Sequence, residues 1–109
     1  MPFLFPLSLQ SLALNATPWF LYLIECDDGS IYTGIATDVA ARFEKHSSGK
    51  GARYTRSRKP MRVLACFELP GRAEASRAEY WVKRLSPAGK WALVSGEKSL
   101  ESIVVKGGG

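Results

Sequence analysis

Residues 20–34 read FLYLIECDDGSIYTG, and the pattern in this stretch decides the fold. The aromatic and branched residues over 19–25 predict a buried strand. Asp27, Asp28 and Gly29 have the chemistry of a tight turn, and SIYTGI has the composition of a second strand. The stretch therefore predicts a β-hairpin.

The length of this turn decides which side chains share a face of the hairpin. With a three-residue turn that has Gly29 in the left-handed conformation, Ile24 faces Tyr32 and Tyr22 faces Gly34. Tyr22 and Tyr32 are then diagonal neighbours on one face, about 7–8 Å apart. A two- or four-residue turn would place them on opposite faces. Gly34 removes a side chain opposite Tyr22, where another group could approach the sheet.

The rest of the chain predicts one more strand and three helices. A helix is expected near 38–48, after the N-cap types Thr37 and Asp38, and it ends at Gly49. A strand over 61–69 and a helix over 72–85 follow. Ser86 and Pro87 then open a short helix that ends near Ser95. The order ββαβαα predicts an α+β fold, in which helices flank a three-stranded mixed or antiparallel sheet.

The 109 residues are enough for one domain. We expect a loosely ordered leader over 1–18, the folded domain over 19–95 and a flexible C-terminal tail over 96–109. The first 24 residues carry no charged side chain, which raises the alternative of export or membrane insertion. Three prolines interrupt this run and no basic residue precedes it, and both features argue against that alternative.

The positive charge of the chain is concentrated in one segment. The net charge is +5, and eight of the 15 basic residues lie between 42 and 62 together with a single acidic residue. A local patch of this kind predicts a polyanionic partner. The loop in this segment carries the candidate polyanion-binding residues Lys50, Arg53, Tyr54, Arg56, Arg58 and Lys59.

Cys26 and Cys66 lie in apolar runs and have no metal-type spacing with His46, the single histidine. They are predicted to be reduced core residues of a cytoplasmic protein rather than a disulfide.

Three further polar residues are candidates for chemistry, and each also has an ordinary structural interpretation. Arg42 and His46 are four residues apart on one helix face, which is also what a solvated surface pair would show. Glu79 lies beside the apolar stripe of its helix, where it could equally be an exposed ion-pair partner of Lys83.

Taken in order along the chain, these residues resemble the GIY-YIG endonuclease superfamily. Phe20-Leu21-Tyr22 stands for the first tripeptide and Tyr32-Thr33-Gly34 for the second. Arg42, His46 and Glu79 match the arginine, the His or Tyr, and the metal-ligand glutamate of the family. The segments GKGARYTR (49–56) and RAEY (77–80) are similar to its small stand-alone bacterial branch, the YhbQ-like proteins.

The resemblance implies a metal-dependent endonuclease that hydrolyses phosphodiester bonds in nucleic acid, with DNA expected as the substrate in preference to RNA. It implies one divalent cation, Mg²⁺ or Mn²⁺, held by Glu79. Arg42 would grip the scissile phosphate, Tyr22 or Tyr32 would orient or deprotonate the water, and His46 would relay the proton. The basic loop would hold the flanking nucleic-acid backbone, and Tyr54 would stack on a base or pack in the loop. We expect no attached specificity domain, and therefore either low sequence preference or an external targeting protein as a further partner.

The chain also departs from the family pattern. The first tripeptide keeps only its tyrosine, the second has Thr33 for isoleucine, and two further positions differ. Ile35 stands where repair-type members have a lysine, and Trp91 stands where many members have an asparagine. Two alternatives to the enzyme therefore stay open. One is a binding module of the same fold that has lost turnover, and the other is a domain whose positive loop meets an acidic protein.

Overall fold

The computed structural model describes residues 17–50 and 58–108. The described elements comprise three strands and four helices: β1 (Trp19–Cys26), β2 (Ile31–Ala36), α1 (Val39–Ser47), β3 (Pro60–Leu69), α2 (Arg72–Lys83), α3 (Pro87–Ser95) and α4 (Leu100–Gly108). The predicted α+β fold is confirmed. Residues 1–16 of the predicted leader lie outside the described residues.

The hairpin has the three-residue turn that the sequence predicts. The Cys26 amide donates to the Ser30 carbonyl at 2.9 Å, and Gly29 has a φ of 85°, which favours glycine. The register then pairs Ile24 with Tyr32 and Tyr22 with Gly34. The two tyrosines therefore share one face of the sheet, as predicted.

The sheet has the order β2-β1-β3, and both strand pairs are antiparallel. Since β1 lies in the middle, β2 is an outer strand. Two irregularities in the β1–β3 register lie near the hairpin end. An ion pair of 2.7 Å between Arg62 and Glu25 links these two strands on the surface.

The two faces of the sheet are covered by different helices. On one face, Tyr22, Ile24 and Cys26 pack with Val39 and Phe43 of α1. On the other face, Leu21 and Leu23 of β1 form a larger core with residues of the three remaining helices. Those residues are Ala78 and Val82 of α2, Leu93 of α3 and Ile103 of α4. The tyrosines thus lie on the α1 side.

Local capping explains where two of the helices begin. An Asp38 carboxylate oxygen accepts from the Ala41 amide at 3.0 Å and starts α1. The Ser86 hydroxyl accepts from the Gly89 amide at 3.1 Å, with Pro87 in the first turn of α3. Both starts agree with the sequence prediction.

Two predictions about the fold are wrong. The segment from Gly96 is not a flexible tail throughout, because Leu100–Gly108 forms α4 and its Ile103 lies in the core. Cys66 is not a core residue. It lies exposed on β3, whereas Cys26 is buried as predicted. Within the described residues, no helix is both long and apolar enough to cross a membrane.

Candidate functional site

A buried polar pair lies at the centre of the α1 face. The Tyr22 hydroxyl and Nε2 of His46 are hydrogen-bonded at 3.1 Å, and the two residues are 1% and 2% exposed. His46 is the single buried residue of α1 and sits in its last turn. The interpretation of Arg42 and His46 as a solvated surface pair is therefore wrong for His46.

Tyr32 completes an aromatic cluster with this pair. Its ring centroid lies 6.2 Å from that of Tyr22 and 5.0 Å from that of His46, edge to face with the imidazole. Tyr32 is half-buried, unlike its two neighbours. Of the two tyrosines, Tyr32 is therefore the one that a molecule from solvent can reach.

Gly34 gives Tyr22 the space for its hydroxyl. A Cβ atom at Gly34 would stand 2.5 Å from the Tyr22 hydroxyl oxygen and 3.1 Å from Cε2 of Tyr32. The sequence predicts that another group approaches the sheet at this glycine. The group that approaches is the phenol of Tyr22 itself.

Arg42 lies beside the aromatic cluster on the exposed side of α1 and influences two of its members. Burial, followed by the charge of Tyr32, raises the pKa of Tyr22 to about 12, and Arg42 acts in the opposite direction. Burial and the Arg42 charge lower the pKa of His46. Both groups are thus neutral at pH 7. The Arg42 charge therefore does not bring the pKa of Tyr22 below its ordinary value, as a tyrosine that deprotonates water would require.

Glu79 belongs to a helix that packs on the other face of the sheet. Its helix, α2, packs Ala78 and Val82 onto the face opposite the tyrosines. The carboxylate forms an ion pair with Lys83 at 3.3 Å, the i+4 partner named from the sequence. The resemblance implies one site for Glu79 and the four residues of the α1 side, Tyr22, Tyr32, Arg42 and His46. The helix of Glu79 instead packs on the opposite face of the sheet.

Of the six predicted nucleic-acid-binding residues, three lie within the described residues. Lys50 and Lys59 are exposed, whereas Arg58 donates from Nε to an Asp28 carboxylate oxygen at 2.9 Å across the hairpin turn. Arg53, Tyr54 and Arg56 lie outside the described residues. Their contacts with the nucleic-acid backbone remain predictions.

Two residues next to Arg42 were missed by the sequence reasoning. Trp19 and Lys45 line a cavity together with Arg42 at the end of β2. Lys45 follows Arg42 by three residues on the same helix, so the i,i+3 spacing carried a usable signal. No comparable signal marks Trp19, because its proximity to Arg42 depends on how α1 packs against the sheet.

The metal ion that the resemblance implies would have to be held by Glu79, whose helix, α2, packs on the face of the sheet opposite the tyrosines. Among the described residues, no group of three or more His, Cys, Asp or Glu side chains could hold a metal. A single carboxylate such as Glu79 fits Mg²⁺, which keeps several water ligands, and does not fit a zinc site. The buried Thr33 hydroxyl has no hydrogen-bond partner among the described residues and belongs to the same face. Of these groups, the single carboxylate of Glu79 is the one whose chemistry fits a hydrated Mg²⁺ ion.

Comparison with known proteins gives a consistent result. The GIY-YIG catalytic domain matches residues 18–91. A UPF0213 protein of Cupriavidus pinatubonensis is 61% identical over 75 residues, which are 69% of this chain and 83% of that protein. A UPF0213 protein of Halalkalibacterium halodurans is 54% identical over 76 residues, 70% of this chain and 81% of the relative.

A similar structure has been solved in solution. It is the NMR structure of the UPF0213 protein BH0048 from Bacillus halodurans, 52% identical, with a TM-score of 0.47. The match covers 72% of this chain and 83% of that one. The domain match and the identities of these relatives show that the chain belongs to the GIY-YIG family and carries its nuclease-type fold.

Proposed function

We propose that the protein is a metal-dependent endonuclease that hydrolyses phosphodiester bonds in nucleic acid, with DNA as its main substrate. The observation that carries this proposal is the buried 3.1 Å hydrogen bond between Tyr22 and His46, with Tyr32 and Arg42 beside it. Burying two polar rings is costly unless they are paired. A surface that only binds a polyanion has no use for such a pair, since phosphate contacts need exposed donors alone.

Arg42 is the residue that would hold the scissile phosphate. It is exposed on α1 and lies close enough to Tyr22 to influence its pKa. A guanidinium presents two parallel N–H donors that match two phosphoryl oxygens. Its charge would stabilise the negative charge that builds on those oxygens as the bond breaks.

Tyr32 is the better placed of the two tyrosines for the attacking water. It is half-buried, whereas Tyr22 is 1% exposed and its pKa is raised to about 12. A phenol with that pKa stays protonated at neutral pH and does not act as a base there. Tyr32 would therefore orient the water through its hydroxyl.

Tyr22 and His46 would then act as positioning residues behind Tyr32. The His46 ring meets Tyr32 edge to face at 5.0 Å and is fixed by its bond to Tyr22. Burial and Arg42 lower the pKa of His46, so the ring is neutral and its unprotonated nitrogen can accept a hydrogen bond from a neighbouring hydroxyl. This arrangement would keep Tyr32 in one orientation.

Glu79 can approach the same phosphate around the outer edge of β2. The Arg72 guanidinium lies 5.6 Å from the Trp19 ring centroid, so α2 begins where β1 begins. Glu79 follows seven residues later, about 10 Å along the helix, and three strand residues cover a similar distance. If α2 runs alongside β1 and β2 from that point, Glu79 would lie roughly level with the pair formed by Tyr22 and Gly34.

A divalent ion held by Glu79 would neutralise phosphoryl charge and favour departure of the leaving oxygen. Because β2 is an outer strand, a phosphate at its edge would meet Arg42 from the α1 side and Glu79 from the α2 side. The ion pair with Lys83 must loosen for this, and exposed pairs of that kind contribute only ~0–1 kcal/mol.

Cleavage assays with supercoiled plasmid and with labelled single strands test the proposal. We expect nicked or shortened product with Mg²⁺ or Mn²⁺ and none with a chelator. Tyr32→Phe should remove activity without changing the fold, as followed by circular dichroism. Tyr80→Phe is the matched control, because Tyr80 is exposed and its ring lies under Arg84 instead.

A second candidate, a binding module without turnover, is favoured by a different observation. Glu79 is already paired with Lys83, and Trp91 stands exposed where many family members have an asparagine. On this alternative the parent protein binds DNA with the usual salt dependence and yields no product with either metal. The same assays therefore decide between the two functions.

A further inference from the structure

A cavity of about 270 Å³ opens beside Arg42 at the end of β2. Trp19 and Ile35 line it from the α2 side of the sheet, and Asp38, Arg42 and Lys45 line it from the α1 side. It thus has lining residues from both sides of the sheet at the end of β2, and it adjoins Arg42, to which the proposed function assigns the scissile phosphate. That function uses Arg42 from this set and leaves the rest of the cavity without a role.

The lining combines three kinds of chemistry. Trp19 offers a flat aromatic surface, and the Arg72 guanidinium over its ring holds the indole in place. Arg42 and Lys45 are exposed cations three residues apart. Asp38 caps α1 with one carboxylate oxygen, which leaves its second oxygen as an acceptor for an amino group.

We propose that this cavity binds the nucleoside next to the phosphate held by Arg42, with the base stacked on Trp19. The phosphate that Arg42 holds would lie between the side chains of Arg42 and Lys45. An aromatic platform beside cations is how proteins hold an unstacked base and its backbone together. The identification of the ligand as part of a nucleic acid rests on the proposed function.

The size of the cavity favours one nucleotide over a larger ligand. Pockets that enclose drug-sized molecules have volumes of about 300–1,000 Å³, and this cavity lies just below that range. A longer nucleic acid would place a single base in it and continue along the basic segment. Trp19 would then serve binding in the ground state and the transition state alike, and so raise affinity without changing the chemical step.

An NMR titration tests the site directly. The chain has three tryptophans, and each indole N–H gives its own cross-peak. Trp19→Leu identifies the peak of Trp19 by its loss. We expect deoxyadenosine monophosphate to shift that peak in a saturable manner at concentrations at which inorganic phosphate has little effect. The Trp91 peak should stay in place, because Trp91 lines a different cavity with Pro87 and Lys90.

Affinities of the variants give the quantitative test. Trp19→Leu should weaken binding of deoxyadenosine monophosphate about 5- to 150-fold, the range measured for lost base stacking. Trp91→Leu should leave it unchanged. Trp19→Phe keeps an aromatic ring and should lie in between, which keeps the test valid if the leucine variant folds poorly. Unaltered amide cross-peaks elsewhere report the fold in each case.

The inference would be overturned if phosphate and the nucleotide bound with equal affinity, or if Trp19→Leu bound the nucleotide as tightly as the parent. The cavity would then be an anion site only. In cleavage assays Trp19→Leu should raise KM and leave kcat unchanged. If the protein cleaves DNA and Trp19 does not respond, the cavity proposal alone fails. If the nucleotide binds at Trp19 and no nucleic acid is cleaved, the proposed function fails and the site stands.

Discussion

The Tyr22 hydroxyl lies directly over Gly34, in the space that any side chain at that position would take. A Cβ there would stand 2.5 Å from the hydroxyl oxygen and 2.6 Å from Cζ of the ring, closer than carbon atoms approach in proteins. The cross-strand pair of Tyr22 and Gly34 is therefore what allows the phenol to reach His46. Gly34 of the second tripeptide thus affects the site through the position of Tyr22, the tyrosine of the first tripeptide.

Gly34→Ala should damage both stability and cleavage. The added methyl group pushes Tyr22 away from His46, and overpacking of this kind costs about 1–3 kcal/mol in the free energy of unfolding. Urea denaturation measures the first effect and plasmid cleavage the second. We expect cleavage to fall further than the unfolded fraction alone explains.

A double-mutant cycle identifies the cause. In a Tyr22→Leu background the methyl group no longer meets the phenol, so Gly34→Ala should cost much less there. Additive effects of the two substitutions would show that the close approach of the phenol is not the reason for the loss.

The raised pKa of Tyr22 gives the protein a characteristic loss of stability in alkali. Burial and Tyr32 raise this pKa to about 12 in the folded state from the ordinary value of 10.0. The folded state therefore retains a proton that the unfolded state releases between these values. The resulting stabilisation is fully present below pH ~10, amounts to about 3 kcal/mol, and is lost as the pH rises to ~12.

Tyr22→Phe removes this titration and is the matched variant. At pH 8 it should be less stable than the parent, because the hydrogen bond to His46 is lost. The difference in free energy of unfolding between the two proteins should shrink as the pH rises above 10. A constant difference across that range would contradict the raised pKa.

The parts of the fold that were predictable depend on local rules. The turn length fixed the face of both tyrosines, since side chains alternate along strands. Asp38 and Ser86 cap their helices within three residues of themselves. Such features follow from short-range geometry and needed no knowledge of packing.

The errors come from residues whose place depends on how helices pack. The sequence allows His46 to be a surface residue, but the packing of α1 on the sheet buries it. The sequence also places Glu79 in one site with the tyrosines, whereas its helix α2 packs on the opposite face. The C-terminal helix was predictable, because Leu100, Ile103 and Val104 have helical spacing. The three final glycines outweighed that signal.

Lys83 should compete with a metal ion for Glu79. Lys83→Met removes the 3.3 Å ion pair and leaves the carboxylate with its negative charge uncompensated. We expect half-maximal cleavage at a lower Mg²⁺ concentration, and stability within ~1 kcal/mol of the parent. Glu79→Gln should abolish metal-dependent cleavage while DNA binding persists. An unchanged Mg²⁺ requirement in Lys83→Met would indicate that the ion is held elsewhere.

The salt dependence of DNA binding tests the basic segment. Neutralising Arg53, Arg56 and Arg58 together should weaken binding to all sequences alike. The slope of log K against log salt should fall by ~0.7–0.9 for each phosphate that the variant no longer neutralises. Arg58→Ala alone should change the slope by less than this amount, because Arg58 is already paired with Asp28 at 2.9 Å. Survival of binding with an unchanged slope would show that the segment is only solvated surface.

Arg42→Lys separates an enzyme from a binding module at a single position. Lysine keeps the positive charge but supplies a point donor on a flexible stem in place of a planar fork. If the fork binds the phosphate more strongly as negative charge builds there, ground-state binding should stay nearly intact. Cleavage should then fall by ~10²–10³-fold, as for other transition-state donors that have been removed.

Arg62→Lys is the control for this substitution. Arg62 is exposed and pairs with Glu25 across β1 and β3, away from the tyrosines, so its replacement should change neither binding nor cleavage. Filter binding in the presence of a chelator and single-turnover cleavage measure the two quantities separately. Equal losses of binding and cleavage in Arg42→Lys would mean that Arg42 only clamps the backbone. In that case other groups must stabilise the charge that develops during hydrolysis, and the role proposed for Arg42 is wrong.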